Sequence, residues 1–380
     1  MTLTARALNR ATLGRQLLLR RESLGVPDAV RRVVALQVQT PASPYLALWN
    51  RLTDFDPADL DAAFANHQLV KATLMRITVH AVHADDHPAM HAAMQPTLRG
   101  ARLGDARFTS TGLTAADADA VVPDLLKFLA KPRTGPEAEA WLDTRLGGAP
   151  KRLWWALRHY APVWHAPTGG PWSFGTRPSY VAATTRRLLV DSDVAATTLQ
   201  TLIRRYLEGF GPASIADMAQ FALVQRARAG AAVAALGADL VQLEGPNGSV
   251  LYDLPGAPLP AEDTPAPPRL MAMWDSILLA YVDRSRVIPS EYRKHITRMN
   301  GDVLPTLLVD GYVAGVWRPV EGGIEASAFH SLPAKVWKGL AAEARSLQSF
   351  LTDRDPLVYS RYGHWWDKEI PSADVRLLSG

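Results

Sequence analysis

Apolar residues first recur at helical spacing in Val26–Leu36, where Val30, Val33 and Val34 form an i, i+3, i+4 stripe. Pro27 suits the first turn of such a helix and Asp28 complements its dipole. Arg31 and Arg32 fall off the stripe. Pro41 drives Thr40 out of the helical region, so the helix is expected to end near Leu36 and give way to the run LQVQTP. Ser43–Leu52 and Pro57–Asn66 read as two further helices, the second opened by Asp56-Pro57. Leu69–Val82 partly alternates and becomes β-branched late, which predicts a strand-rich segment.

The pattern is clearest between Leu199 and Leu254. Leu199–Gly209 is helical, Gly211–Ser214 breaks it, and Ser214 can cap the short helix Ile215–Phe221. Val224–Leu236 is a third helix. LVQLEGPNGSVLYDL then places two short strands around a Gly245-Pro246-Asn247-Gly248 turn. Three helices followed by a two-stranded wing form a winged-helix motif, a variant of the helix-turn-helix. Six prolines between 255 and 268 mark a linker. Beyond it, TLLVDGYVAGVW (Thr306–Trp317) predicts a hairpin turning at Asp310-Gly311, and Ser331–Leu351 a final helix. A helices-then-hairpin order thus recurs near 1–100, 199–254 and 270–330. The expected class is α+β, mainly α.

The chain has 380 residues, more than one ordinary core accommodates, so two or three modules are expected. Hydrophobic residues make up 48% and charged residues 21%, proportions ordinary for a soluble chain. Cysteine is absent, which excludes disulfides, thiolate metal sites and cysteine nucleophiles. The opening MTLTARALNR does not look like a secretory leader. No run approaches the roughly 18 apolar residues of a membrane span; Leu270–Val282 is short and broken by Asp275. A cytoplasmic protein is expected.

The net charge of +4 matters less than its distribution. Seven arginines face two acids between Met1 and Arg32. Arg145, Lys151, Arg152, Arg158, Arg177, Arg186 and Arg187 form a block without any acid. Arg284, Arg286, Arg293, Lys294 and Arg298 crowd Asp283–Arg298, while Asp54, Asp56, Asp59, Asp61, Asp117, Asp119 and Asp124 pool elsewhere. Such segregation fits several segments converging on a polyanion, though arginine-rich chains can show it without function. Trp154, Trp155, Trp164, Trp172, Phe174 and Tyr180 lie among the middle arginines. They could stack unpaired bases or simply fill a core.

Common catalytic signatures are missing: there is no GxGxxG, P-loop, GxSxG or HExxH. His83, His87 and His91, near Asp85 and Asp86, could hold a metal only with further ligands; exposed polar residues on a helix are the simpler account. No metal or cofactor is expected. Gln37 and Gln39 are separated by one residue in the segment that Pro41 keeps extended. There they point the same way with Val38 turned inward. Two amides on one side can hold a water from two directions, or they can be a polar connector.

Together, ALQVQTP (Ala35–Pro41), LMRITVH (Leu74–His80), YLEGFGPAS (Tyr206–Ser214), DRSRVI (Asp283–Ile288) and LLVDGYVAGVW (Leu307–Trp317) resemble the HTH_42 winged-helix family of DNA glycosylases. The resemblance runs through nearly the whole chain in family order. It implies three tandem winged-helix motifs around a DNA-binding channel and a Gln–apolar–Gln catalytic signature, here Gln37-Val38-Gln39. The modules would span 1–105, 199–254 and 269–380, the last with a basic hairpin region around Arg284, Arg286, Arg293 and Lys294 and a C-terminal helix, with a helical, aromatic and basic connector at 106–198 and the linker at 255–268.

The implied activity is monofunctional: hydrolysis of the N-glycosidic bond of N7-alkylated purines, with unhooking of interstrand crosslinks, and no lyase step. Such repair would serve antibiotic self-resistance. The partner is double-stranded DNA bearing alkylated purines, bound by a monomer without a membrane, a metal or a nucleotide cofactor. The protein would be nucleoid-associated in a bacterium when on DNA. Arg31, Arg76, Arg177, Arg284, Arg286, Arg293 and Lys294 are the candidates for the DNA surface, and Thr78 and His80 accompany Arg76. Two rivals are a winged-helix transcription regulator without catalysis and a protein that sequesters the alkylating drug. The first is weakened by RARAGAAVAAL, a third helix with few base-reading side chains.

Overall fold

The helix that begins at Val26 stops at Arg32, four residues before the expected Leu36, because Val33 and Val34 belong to different cores. Val34 takes a left-handed φ of 76°, rare for a β-branched residue, and this turns the chain between the two. The chain then enters strand β1, Leu36–Gln37. The computed structural model describes residues 2–148, 152–185, 187–368 and 370–379. Lys151 and Arg186 of the middle basic block lie outside these residues.

The architecture is α+β and mainly helical. Strands β1, β2 (Leu69–Thr73), β3 (Val79–His83), β4 (Arg133–Thr134), β5 (Val163–Ala166) and β6 (Ser179–Ala182) form one antiparallel sheet in the order β1-β3-β2-β5-β6-β4. The strand-rich segment 69–82 is therefore a β2–β3 hairpin. The order expected for 199–254 is present: helices Ser192–Phe210, Ile215–Ala222 and Arg226–Leu236, then β7 (Val241–Glu244) and β8 (Val250–Asp253). Ser214 caps the second helix in a reciprocal box with Asp217.

Strands β9 (Arg269–Leu270), β10 (Thr306–Val309), β11 (Tyr312–Val320), β12 (Gly323–Ala328) and β13 (Asp374–Leu378) form a second sheet. The β10–β11 turn puts Asp310 (φ 47°) and Gly311 (φ 84°) both left-handed, as a two-residue hairpin requires. The helices expected before this hairpin are reduced to 3-10 turns and the four-residue helix Arg293–Ile296. The basic segment 283–298 is thus not itself a hairpin. The last long helix is Ala334–Thr352.

The two large hydrophobic cores draw on remote parts of the chain. One joins residues 13–81 to 270–378; the other is built mostly from 34–35 and 70–240. The proline-rich stretch does not hang free. Arg6, Arg10 and Arg15 of the helix Ala5–Arg15 donate to the carbonyls of Glu262, Thr264 and Pro258.

Ion pairs tie remote segments of the chain together. Arg15 meets Asp253, and Arg51 meets Asp275 through two bonds of 2.7 and 2.8 Å, all four side chains buried. Arg51 also holds the carbonyl of Ala47, so both guanidinium ends are used. Removing one partner of a fully buried pair leaves an uncompensated charge. Asp275→Ala is therefore expected to lower unfolding free energy by about 3–5 kcal/mol, read as a lower urea midpoint with an unchanged m-value. An unchanged midpoint would contradict this account of how the remote segments are joined.

Candidate functional site

β1 pairs with β3 so that Gln37 lies opposite His80, and Val38 N–H bonds the carbonyl of Val79 at 2.8 Å. Leu36 and Val38 both enter the same core, so Gln37 faces the other way, as period-2 alternation demands. Gln37 is buried; Gln39, in the bend beyond the strand, is exposed. Val38 is turned inward as expected.

The turn between β2 and β3 gives Gln37 its partner. Arg76 (φ 54°) and Ile77 (φ 57°) both adopt left-handed backbone, a costly state for a β-branched residue. Beside this turn Arg76 Nη2 donates to Gln37 Oε1 at 2.9 Å and lies 3.3 Å from His80 Nε2. His80 Nδ1 is 3.1 Å from the carbonyl of Thr78. A carbonyl only accepts, so Nδ1 carries the proton and Nε2 offers its lone pair to Arg76. Burial, then the Arg76 charge, push His80 down to about 3, so the imidazole is neutral. Arg76 itself is lowered to about 10 by burial and then by repulsion from Arg284, and remains a cation near neutral pH. The Phe221 ring covers its guanidinium at 5.4 Å. Oε1 of Gln37 keeps a second lone pair, and its NH2 has no protein acceptor among the described residues.

Where the acids are matters as much. Most of the N-terminal arginines are spent on structure: Arg6 and Arg10 on Asp310, Arg15 on Asp253, Arg20 on Glu22 and Arg21 on Glu343. Arg31, a candidate for the DNA surface, pairs with Asp86 at 3.4 Å and approaches Asp85 at 4.0 Å. By contrast, among the described residues no carboxylate pairs with Arg76, nor with Arg284, Arg286, Arg293, Lys294 or Arg298. Arg284 is lowered by burial and by Arg293, which places Arg76, Arg284 and Arg293 in one run of like charge. Its Nη1 donates to Thr297 Oγ1 at 3.3 Å.

Not every predicted residue joins this cluster. Arg286 donates to the carbonyl of Pro212 at 2.8 Å and stacks on Tyr281 at 4.1 Å, contacts that tie it into the scaffold. Arg293 and Lys294 are exposed on their short helix. Arg177 is exposed in a loop, and no recorded contact ties it to Gln37. Thr78 holds its own turn through the carbonyl of Met75. Sequence reasoning missed Phe221 and also Ser276, whose hydroxyl bonds the Ala35 carbonyl at 3.0 Å. Both come from distant segments, so no local spacing marks them.

The two readings open for the middle aromatics resolve to the core, and the expectation for the histidines is overturned. Trp154, Trp164, Trp172, Phe174 and Tyr180 are core residues, each at most 6% exposed, and have no free face for a base. Of the middle tryptophans and their aromatic neighbours only Trp155 is partly exposed, and it carries Arg102 and Arg107 on its ring. His87 and His91 are not exposed polar residues either. They are buried, stacked at 5.4 Å, and engaged with Trp164 and Gln95, while His83 ends β3 and lies outside their helix. Among the described residues no group of three or more metal-ligating side chains comes together.

The family described as DNA glycosylase AlkZ-like matches residues 30–350. No curated protein matches the sequence. Among solved structures, the DNA glycosylase AlkZ of Streptomyces sahachiroi superposes with a TM-score of 0.77 at 21% identity. The match covers 90% of this chain and 95% of that one. At that identity the likeness is one of fold.

The histidines make the stability of this region pH-dependent. His80 is held near 3, and His91 and His159 near 4, against an ordinary 6.5, chiefly by burial. The unfolded chain takes up protons first, so this stabilisation is complete above about 6.5 and is lost as pH falls toward the folded values. The thermal midpoint is expected to drop over that interval, and less steeply in His80→Asn. A flat profile would contradict the neutral assignment.

Proposed function

The chain belongs to the AlkZ-like DNA glycosylase family, and from that premise we propose that it hydrolyses the N-glycosidic bond of N7-alkylated purines in duplex DNA, crosslinked purines included. The observation that carries this reading is the amide of Gln37, held by Arg76, itself bonded to His80, beside a run of cations without carboxylate partners among the described residues.

The substrate makes a neutral amide sufficient. A purine alkylated at N7 already carries positive charge and leaves as a neutral base, so little acid catalysis is needed at the leaving group. What remains is to hold a water against C1′ of the sugar. Orientation of this kind supplies up to roughly 7–11 kcal/mol in favourable systems. Gln37, with one lone pair of Oε1 taken by Arg76, accepts one hydrogen of the water; exposed Gln39 holds it from the solvent side. No lysine Schiff base enters the reaction, so the product is an abasic site.

The cations have a second task. A cationic run beside a developing oxocarbenium ion is unfavourable by itself, and DNA phosphates reverse the balance. Arg76 and Arg284 draw the backbone flanking the lesion toward Gln37, with Arg293 and Lys294 at the rim. Unalkylated purines, which leave as poor anions, are spared. A base tied to the opposite strand cannot be flipped into a closed pocket, and an open cationic surface accommodates it.

Free-base release from duplexes carrying 7-methylguanine or a defined N7–N7 crosslink tests this. Wild type is expected to release the modified base and leave an alkali-labile site. Gln37→Ala and Gln39→Ala are expected to lose about 10²–10³-fold in single-turnover rate, as when one preorganised hydrogen-bonding group is deleted. Their DNA affinity should hardly change. Wild-type excision by both variants would overturn the assignment, and sequence-specific binding without base release would favour a regulator.

A further inference from the structure

The segment that carries the two glutamines is held at both ends by residues from the far half of the chain. At its start, Ser276 Oγ donates to the Ala35 carbonyl at 3.0 Å. At its end, Thr40 Oγ1 lies 2.7 Å from Ser43 Oγ, which lies 3.0 Å from Tyr359 Oη. The backbone N–H of Met273 reaches the same Tyr359 oxygen at 3.3 Å. All three side chains are buried, and Tyr359 stands in a left-handed backbone conformation (φ 68°) that a non-glycine residue adopts only when its surroundings impose it.

A backbone N–H only donates, so Tyr359 Oη accepts from Met273. The hydroxyls of Tyr359, Ser43 and Thr40 then share protons along one buried chain, each satisfying its neighbour. Thr40 directly follows Gln39. The bend that presents Gln39 is therefore pinned through three oxygens to Tyr359, while Gln39 itself, exposed, has no side-chain hydrogen bond among the described residues.

We propose that Tyr359 is a positioning residue for Gln39: its hydroxyl, acting through Ser43 and Thr40, sets the bend from which the Gln39 amide meets the water. This rests on the glycosylase reading above. It adds a second positioning device to the Arg76–His80 brace, one for each glutamine.

The test is single-turnover and steady-state excision of 7-methylguanine from a duplex by Tyr359→Phe, Ser43→Ala, Gln39→Ala and the double variant Tyr359→Phe/Gln39→Ala. Thermal midpoints are measured alongside. Tyr359→Phe keeps the buried ring and removes one oxygen, and Ser43→Ala breaks the same chain at its middle should the first variant fold poorly. Either is expected to lower kcat about tenfold, the effect of one misdirected hydrogen bond, with KM and DNA affinity unchanged. In the Gln39→Ala background Tyr359→Phe should add no further loss, because the group it positions is gone. Wild-type kcat in both single variants, a change in KM alone, or independent multiplicative losses in the double variant would overturn the proposal. If Gln39→Ala itself excises at the wild-type rate, the glycosylase reading of the pair fails, and this inference with it.

Discussion

A partly buried guanidinium without a carboxylate partner is the constraint around which the rest is arranged. Elsewhere the protein matches its buried arginines: Arg15 with Asp253, Arg51 with Asp275, Arg10 with Asp310. Among the described residues Arg76, beside Gln37, faces only neutral partners: an amide oxygen, an imidazole lone pair and the Phe221 ring. A desolvated cation left in that state raises the affinity of its surroundings for an anion. The neighbouring Arg284, itself near Arg293, extends the same field outward. Fold and site meet here, because the strained Arg76–Ile77 turn that closes the β2–β3 hairpin also brings the charge to Gln37.

On the proposed reading that arrangement also suits an amide at position 37. A carboxylate there would form a salt bridge with Arg76, lose basicity, and cancel the charge proposed to draw DNA in. An amide accepts the guanidinium N–H, keeps a lone pair for water, and leaves the field intact. The neutral His80 completes the set: a protonated imidazole would repel Arg76 and have no lone pair to give it.

How much of this could be read in the sequence follows from how local each feature is. The three helices and wing of 192–253 obey short-range rules of capping and turns, and Ser214, Asn247 and Gly248 behave as those rules require. Of the extended course expected for Gln37-Val38-Gln39, only Gln37 lies in a strand, and Gln39 stands in the bend beyond it. The expected helix end failed because Val33 and Val34 divide between two cores, a tertiary demand that periodicity does not carry. The aromatic and arginine pattern of the middle segment left two readings open for a related reason: sequence spacing cannot distinguish a ring in a core from a ring facing a base. The basic blocks were equally alike in sequence. Only the positions of Asp253, Asp310 and Glu343, remote along the chain, separate arginines spent on structure from those left for a ligand. Arg76, which bonds Gln37, and Tyr359, which reaches the bend after Gln39 through Ser43 and Thr40, belong to the same class of long-range fact.

The most direct measurement is a crystal structure of the Gln39→Ala variant bound to a duplex carrying one 7-methylguanine. The account predicts the sugar of the modified nucleotide one water away from the Gln37 amide, with a flanking phosphate on the Arg76–Arg284 pair. A duplex bound on another face, leaving Gln37 remote from every sugar and Arg76 still without an anion, would contradict it.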